Sequence, residues 1–260
     1  MIDRPGARPA RTPRSASGDA ATSGFPRTRY SVVLATGSAD ARLRREAWDA
    51  LVRAYWKPVY KYVRIVWRTG EDDAADRTQA FFARALEADF FSGYDPSKAR
   101  FRTYLRVVLQ RWLANEHKAA KRLKRGGDVT FVSLDFPAAE RELQNPLATT
   151  AEPDAFFRQE TIRSLFGLAV EDLRRLCDDA GKQIHFQVFE RYDLHPASGD
   201  SRPTYREVAD AFGLPITQVT NYLAFARREL RRLVLEHLRT MTGTDAEFRE
   251  EALDLFGVEP

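Results

Sequence analysis

The sequence contains few of the residues from which disulfide frameworks and metal centres are built. Among 260 residues there are 1 cysteine, Cys177, and 4 histidines. A single cysteine excludes an internal disulfide, and no His/Cys spacing fits a metal site. The sequence also lacks a Gly-rich phosphate loop and a nucleophile elbow. We therefore expect no cofactor, no metal and no catalytic residues.

Long apolar runs are also missing. No stretch reaches membrane-spanning length, and the N-terminus lacks the apolar run of a signal peptide, so we expect a cytoplasmic protein without membrane contact. A hydrophobic content of 43% still suffices for one or two globular cores. The net charge is +4, with the basic residues clustered rather than spread, which favours a nucleic-acid partner.

Helical periodicity dominates the first half of the chain. Residues 1–29 are rich in Arg, Pro, Ser and Gly without an apolar period, and they are predicted to form a disordered basic arm. Beyond the arm, apolar residues recur every three or four positions, with Asp40 as an N-cap, Pro58 as a kink and Gly70 as a stop. The predicted helices 40–67, 72–86 and 101–125 make up a first domain at 30–125.

The second half of the chain predicts a helix-turn-helix behind a linker. Residues 126–153 carry Gly, Pro and polar residues without a sustained period, which is typical of an irregular linker. Thr204 and Glu207 form a capping-box pair, and Gly213 ends the short helix that they open. A long basic helix follows, as in a helix-turn-helix, although plain bundles contain similar hairpins. The predicted helices are 154–181, 184–192, 204–212 and 216–239, with 154–240 as the second domain and 241–260 as an acidic amphipathic extension.

A polar stripe follows the predicted third helix. Its members lie three or four residues apart and therefore share one face, with little acidic compensation. Such a stripe is often only a solvated face, but a cluster of cations at its end is also a candidate for phosphate binding. Tyr104 and Trp112 lie on the apolar side and are interpreted as core residues. The stripe consists of Arg111, Asn115, Lys118 and Arg122, extended by Lys121.

The predicted second helix has an acidic face. Asp72, Asp76, Gln79 and Ala83 share this face, apart from the side that carries Phe82. Carboxylates at a helix start also complement the helix dipole, and this alone explains Asp72. An acidic face next to a basic helix indicates that a protein partner binds one face and nucleic acid the other.

Several motifs together resemble region two and region four of bacterial sigma factors of the extracytoplasmic-function type. The matching segments include the TQ-FF, FR-T-Y-L and KRGG signatures of a large branch of that family, and Ser133-Leu134-Asp135 follows them. The order and spacing of these motifs make the resemblance more specific than a single helix-turn-helix match. It covers about residues 30–240. The matching segments are YWKPVYKYVR (55–64), DDAADRTQAFFARAL (72–86), FRTYLRVVLQRWLANEHKAAKRLKRGG (101–127) and TYREVADAFGLPITQVTNYLAFARRELRRLV (204–234).

The resemblance implies an all-α promoter-specificity subunit with two small helical domains joined by an irregular linker. Its partners would be bacterial core RNA polymerase and promoter DNA, and the family admits an anti-sigma factor as a further partner. By position, the resemblance implies polymerase binding by Asp72, Asp76, Gln79 and Ala83. It implies minus-ten DNA binding by Ser97, Lys98, Arg100, Arg111, Asn115, Lys118, Lys121 and Arg122. It implies minus-thirty-five DNA binding by Thr217, Gln218, Thr220, Asn221, Tyr222, Arg227 and Arg228.

The sequence departs from the family pattern and leaves alternatives open. Arg77 replaces an apolar residue, and Tyr222 and Phe225 stand where Arg is common, so fewer cations are available for phosphate contact. A stand-alone helix-turn-helix regulator would explain the second domain but not the acidic helix. A further alternative is an enzyme that uses the carboxylates near residue 72. The sequence disfavours it, because no histidine lies at a ligand spacing from them. The extension 241–260 is interpreted as a packing helix, with capping of the second domain or control of access to DNA as alternatives.

Overall fold

The computed structural model describes residues 31–119, 134–143, 152–194 and 202–260. These residues form helices and no strand, which confirms the predicted all-α class. The predicted arm at 1–29 lies outside the described residues, as do Lys121 and Arg122. The helices are α1 Val32–Ala35, α2 Ala41–Val66, α3 Glu71–Glu87, α4 Phe101–Ala119, α5 Phe136–Leu143, α6 Pro153–Asp179, α7 Gln183–Phe189, a π-helical turn Glu190–Leu194, α8 Tyr205–Phe212, α9 Ile216–Thr240 and α10 Asp245–Phe256.

Local capping chemistry sets the start of α2 and α3. The Asp40 carboxylate accepts hydrogen bonds from the backbone N–H groups of Arg42 (2.9 Å) and Leu43 (3.2 Å), so α2 begins where the sequence predicts. Gly70 does not end α2 as predicted, because α2 ends at Val66 and Gly70 is the extended residue that precedes α3. Three acidic side chains in the first turn of α3 complement its dipole.

A first core surrounds α2. Leu51 and Val59 of α2 are fully buried, and they belong to one cluster with Phe81 of α3 and Leu105 of α4. The cluster extends beyond the three helices of the predicted first domain, because parts of five further helices belong to it. These are Val33 of α1, Phe136 and Ala139 of α5, Phe156, Phe157 and Leu165 of α6, Leu238 at the end of α9, and Ala252 and Leu255 of α10.

A second core contains the helix-turn-helix. It is built from the second half of α6 with α7, α8 and most of α9, and it includes Cys177, Phe186 and Leu223. Because α6 and α9 each contribute to both cores, the two cores are joined by continuous helices. The predicted division into two domains at an irregular linker is therefore not confirmed.

Part of the predicted linker is a helix that docks on α2. Phe136 of α5 packs against the rings of Trp56 and Tyr60, at centroid distances of 5.5 and 5.1 Å. Tyr60 donates a hydrogen bond of 2.7 Å to Glu140, and Arg64 also pairs with this carboxylate and holds its pKa below the usual range. The prediction of an irregular linker is thus wrong for residues 136–143, which form a helix. The helix was missed because two turns are too short to produce a sustained hydrophobic period.

A buried ion pair joins α2 to α6. The Lys61 ammonium lies 2.8 Å from a Glu160 oxygen and 2.6 Å from a Glu142 oxygen of α5. The side chains of Lys61 and Glu160 are each only 1% exposed. Nearby, the Ser164 hydroxyl donates a 2.7 Å hydrogen bond to the carbonyl of Ala54. The start of α6 is thus fixed to α2 by polar contacts as well as apolar packing.

Three buried tyrosines predict loss of stability at high pH. Burial raises the pKa of Tyr55, Tyr60 and Tyr94 above the ordinary value of 10.0. Above about pH 10 the unfolded chain releases these protons while the folded chain keeps them, so the free energy of unfolding falls by about 1.4 kcal/mol per pH unit for each tyrosine. We expect Tm, measured by scanning calorimetry, to fall steeply between about pH 10 and 11. The Tyr55→Phe variant should show a shallower fall, and a Tm independent of pH in this range would contradict the expectation.

Candidate partner- and nucleic-acid-binding surfaces

The outer face of α3 carries exposed carboxylates. Asp72, Asp76 and Gln79 are exposed and Ala83 is half-buried, while Phe82 on the opposite side is buried in the first core. Within the described part of the chain, neither Asp72 nor Asp76 lies within ion-pair distance of a cation. The predicted acidic face is therefore one open surface.

The outer face of α4 is polar. Arg111 and Asn115 are exposed, and Leu109 and Leu113 on the opposite side are fully buried. Lys118 lies in α4, with its side chain outside the described part, and Lys121 and Arg122 follow beyond the described end of the helix. The periodicity of the sequence thus separates the polar face of α4 from its core face correctly.

Two aromatic residues of α4 belong to the core side. The Trp112 ring packs edge-on against Phe81 at a centroid distance of 5.6 Å. The Tyr104 hydroxyl donates a 2.9 Å hydrogen bond to the carbonyl of Phe90. Both residues are half-buried. Their interpretation as core residues is confirmed.

The loop before α4 contains the predicted nucleic-acid residues Ser97, Lys98 and Arg100. The Asp95 carboxylate accepts hydrogen bonds from the Ser97 hydroxyl (2.6 Å) and the Ser97 backbone N–H (3.0 Å), and it pairs with the Lys98 ammonium at 3.0 Å. These contacts, led by the Ser97 hydroxyl, lower the pKa of Asp95 to about 2. Ser97 and Lys98 remain exposed, so this part of the loop is accessible.

Arg100 of the same loop contacts the C-terminal helix. Its guanidinium lies 3.3 Å from a Glu251 oxygen and 3.1 Å from an Asp254 oxygen, both on α10. The turn before α10 also touches the loop, because a Cβ added to Gly243 would lie 3.2 Å from the side chain of Pro96. This contact was not predicted from the sequence, in which the acidic composition of the extension is the one available signal.

The C-terminal helix caps α4. The buried Glu247 carboxylate accepts hydrogen bonds from the backbone N–H of Phe101 (2.7 Å), the Tyr94 hydroxyl (2.6 Å) and the backbone N–H of Gly243 (2.6 Å). It thereby supplies an acceptor to the first turn of α4, where backbone N–H groups have no partner within the helix. The extension is a packing helix, as interpreted, and its buried residues belong to the first core, while Phe256 packs against both cores.

The helix-turn-helix pair has the predicted local geometry. The Thr204 hydroxyl accepts a 3.2 Å hydrogen bond from the Glu207 N–H, and the Glu207 carboxylate accepts a 2.6 Å bond from the Thr204 N–H. Gly213 ends α8 with φ 64°, a left-handed conformation that favours glycine. The start of α9 then presents four exposed neutral side chains: Thr217, Gln218, Thr220 and Asn221.

The other predicted residues of α9 have partners within the chain. The Tyr222 ring is half-buried and stacks on His185 of α7 at a centroid distance of 3.8 Å. Arg227 pairs with Asp193 of the π-helical turn at 2.8 and 3.0 Å. Arg228 pairs with Glu229 at 3.2 Å. Arg227 and Arg228 nevertheless remain exposed, as do the neutral side chains in the first turn and a half of α9.

Two further observations concern metal binding and membrane crossing. Within the described ranges, no group of three or more His, Cys, Asp or Glu residues is arranged to hold a metal ion. None of the described helices is both long and apolar enough to cross a membrane.

Comparisons of the chain with family models, with curated proteins and with solved structures found no match.

Proposed function

We propose that the chain is a sigma-type promoter-specificity subunit that binds bacterial core RNA polymerase and directs promoter recognition and strand opening. The observation that carries the proposal is the presence of three open surfaces of different chemistry on one all-α chain. They are the acidic face of α3, the polar face of α4 and the neutral start of α9. A stand-alone regulator would need only the last of these.

The α3 face suits a protein partner. Asp72 and Asp76 are exposed and carry no ion pair among the described residues, so a basic surface can approach them without breaking an existing contact. Charge complementarity of this kind raises the rate of encounter and selects the partner. Gln79 on the same face adds an amide that can both donate and accept hydrogen bonds.

The α4 face suits an opened DNA strand. Arg111 and Asn115 offer a guanidinium for phosphate and an amide for base edges, and both are exposed. A protein that binds the opened strand better than the duplex shifts the equilibrium toward opening without any chemical step. We therefore propose that this face binds the opened single strand more tightly than the duplex.

The start of α9 suits the major groove. Its exposed side chains are neutral hydrogen-bonding groups, which read base edges. Arg227 and Arg228 are paired with carboxylates, but both remain exposed, so these ion pairs can be exchanged for phosphate. We expect the start of α9 to read base edges and the two arginines to hold phosphates.

Charge reversal on α3 and on α4 should separate two activities. We expect Asp76→Arg to weaken binding to bacterial core RNA polymerase by about tenfold or more, because it places a cation against a basic partner surface. Arg111→Glu should leave polymerase binding intact and should weaken binding of a random-sequence single-stranded oligonucleotide by about tenfold or more. Polymerase binding is measured by co-migration on size exclusion at moderate salt, and oligonucleotide binding by fluorescence anisotropy.

Asp49→Arg is the matched control, because Asp49 is exposed on α2 and has no ion pair among the described residues. It should change neither activity. If Asp76→Arg and Arg111→Glu lost both activities equally, the division of faces would be wrong. If the folded wild-type chain did not co-migrate with polymerase but bound duplex DNA, a stand-alone regulator would be the better description.

A further inference from the structure

The carboxylates of α10 form two layers around the start of α4. Glu247, Glu251 and Asp254 lie four and three residues apart and therefore share one face of the helix. The inner layer is buried: Glu247 caps α4, and Arg102 pairs with Glu251 at 3.2 Å. The outer layer consists of the contacts of Arg100 with Glu250 and Asp254 at the surface, and Arg100 also lies 3.3 Å from Glu251 of the inner layer.

The outer layer is accessible to solvent and can be exchanged. The side chain of Arg100 is 34% exposed and that of Asp254 is 33% exposed, and Glu250, 3.9 Å from Arg100, is 65% exposed. Ion pairs of this exposure are weak and are screened by salt. A phosphate offers the guanidinium the same bidentate geometry as a carboxylate.

Release of Arg100 would leave no buried carboxylate without a partner. Asp254 also contacts Arg102 at 3.0 Å and Arg158 at 3.3 Å, and Glu251 keeps its two hydrogen bonds from Arg102. Release of Arg100 therefore does not carry the large free-energy cost of leaving a buried charge without a partner. The geometry thus allows the loop to exchange a carboxylate for a phosphate while α10 stays in place.

We infer that α10 is an internal competitor of nucleic acid: Asp254, Glu251 and Glu250 hold Arg100, and the phosphates of a single DNA strand displace them. The inference rests on the proposed function, because it assigns a phosphate ligand to the loop beside the α4 face. Its consequence is a lowered affinity for single strands in the free chain. Ser97 and Lys98 stay accessible on the same loop, so a strand can dock before Arg100 is released.

The test compares two doubly substituted full-length chains that each lose two negative charges. Glu250→Gln/Asp254→Asn removes two of the three carboxylates beside Arg100 and leaves Glu251 at 3.3 Å, whereas the control Asp245→Asn/Glu259→Gln removes carboxylates that do not contact Arg100. The probe is fluorescein-labelled oligo(dT), and anisotropy is recorded over a range of salt concentrations. We expect the first variant to bind about fivefold more tightly than the control, with a salt slope steeper by about 0.7 because one more phosphate is contacted.

Adding Arg100→Ala to the first variant should cancel the gain. Equal affinity of the variant and the control, or a gain that survives Arg100→Ala, would overturn the inference. The Arg111→Ala variant separates this result from the proposed function. If Arg111→Ala binds oligo(dT) more weakly than wild type while the α10 variants bind it as wild type does, only the competition by α10 is wrong. If no protein binds oligo(dT), both proposals are overturned. Thermal unfolding of each variant, and the milder Asp254→Asn alone, exclude loss of the fold as a cause.

Discussion

Replacing Lys61 by methionine should lower the free energy of unfolding by about 3 kcal/mol, and Tm by about 6–12 °C. The substitution removes the ammonium that lies 2.8 Å from Glu160, a carboxylate that is only 1% exposed. Arg163 also contacts Glu160, but its side chain is 38% exposed, so the carboxylate keeps only part of its compensation. A buried charge without its partner is far more costly than the intact pair is stabilising. Urea unfolding and calorimetry measure the loss.

Removing the second charge should restore much of that stability. In Lys61→Met/Glu160→Leu, apolar side chains of similar size replace the pair, so we expect the double variant to recover at least about half of the loss. Lys57→Met is the control for an ion pair at the surface, because Lys57 pairs with Glu142 and both side chains are partly exposed. It should lower the free energy of unfolding by less than about 1 kcal/mol. A loss below about 1 kcal/mol for Lys61→Met would show that the pair is not essential to the joint between α2 and α6.

The sequence predicts those features that are encoded within a few residues. The Asp40 cap, the capping box at Thr204 and the left-handed Gly213 each depend on atoms close in the chain, and each lies where predicted. The outer faces of α3 and α4 follow from the three- and four-residue spacing of Phe82 and Leu109, which must point into a core. Periodicity therefore identifies a face, even where the partner of that face is unknown.

Features that depend on distant residues were missed. Lys61 and Glu160 are 99 positions apart, and Arg102 and Glu251 are 149 apart, so no local pattern links them. The same limit applies to α5, whose aromatic and ionic partners Trp56, Tyr60, Lys61 and Arg64 lie on α2. Tyr222 illustrates a different ambiguity. An aromatic residue on a helix that is proposed to bind DNA can face the duplex or a neighbouring helix, and here the position of α7 places the Tyr222 ring against His185.

Replacing Glu247 by alanine should have the second large effect, a loss of about 3 kcal/mol in the free energy of unfolding. The carboxylate accepts three hydrogen bonds of 2.6–2.7 Å from Tyr94, Phe101 and Gly243, and all three donors would lose this acceptor. Buried donors without a partner carry their full desolvation cost. We expect Tm to fall by about 6–12 °C and the alkaline loss of stability to weaken, because Glu247 also raises the pKa of Tyr94.

Two companion variants separate the capping of α4 from the bond to the tyrosine. Tyr94→Phe removes one donor and leaves the bond from Phe101, so it should cost about 1 kcal/mol, the usual net value of one hydrogen bond. Glu259→Ala removes a carboxylate from the exposed end of the chain and should leave Tm unchanged. If Glu247→Ala cost no more than Tyr94→Phe, the acceptor at Phe101 would contribute little. The start of α4, and with it the loop that carries Arg100, would then be held mainly by the buried pair of Arg102 and Glu251.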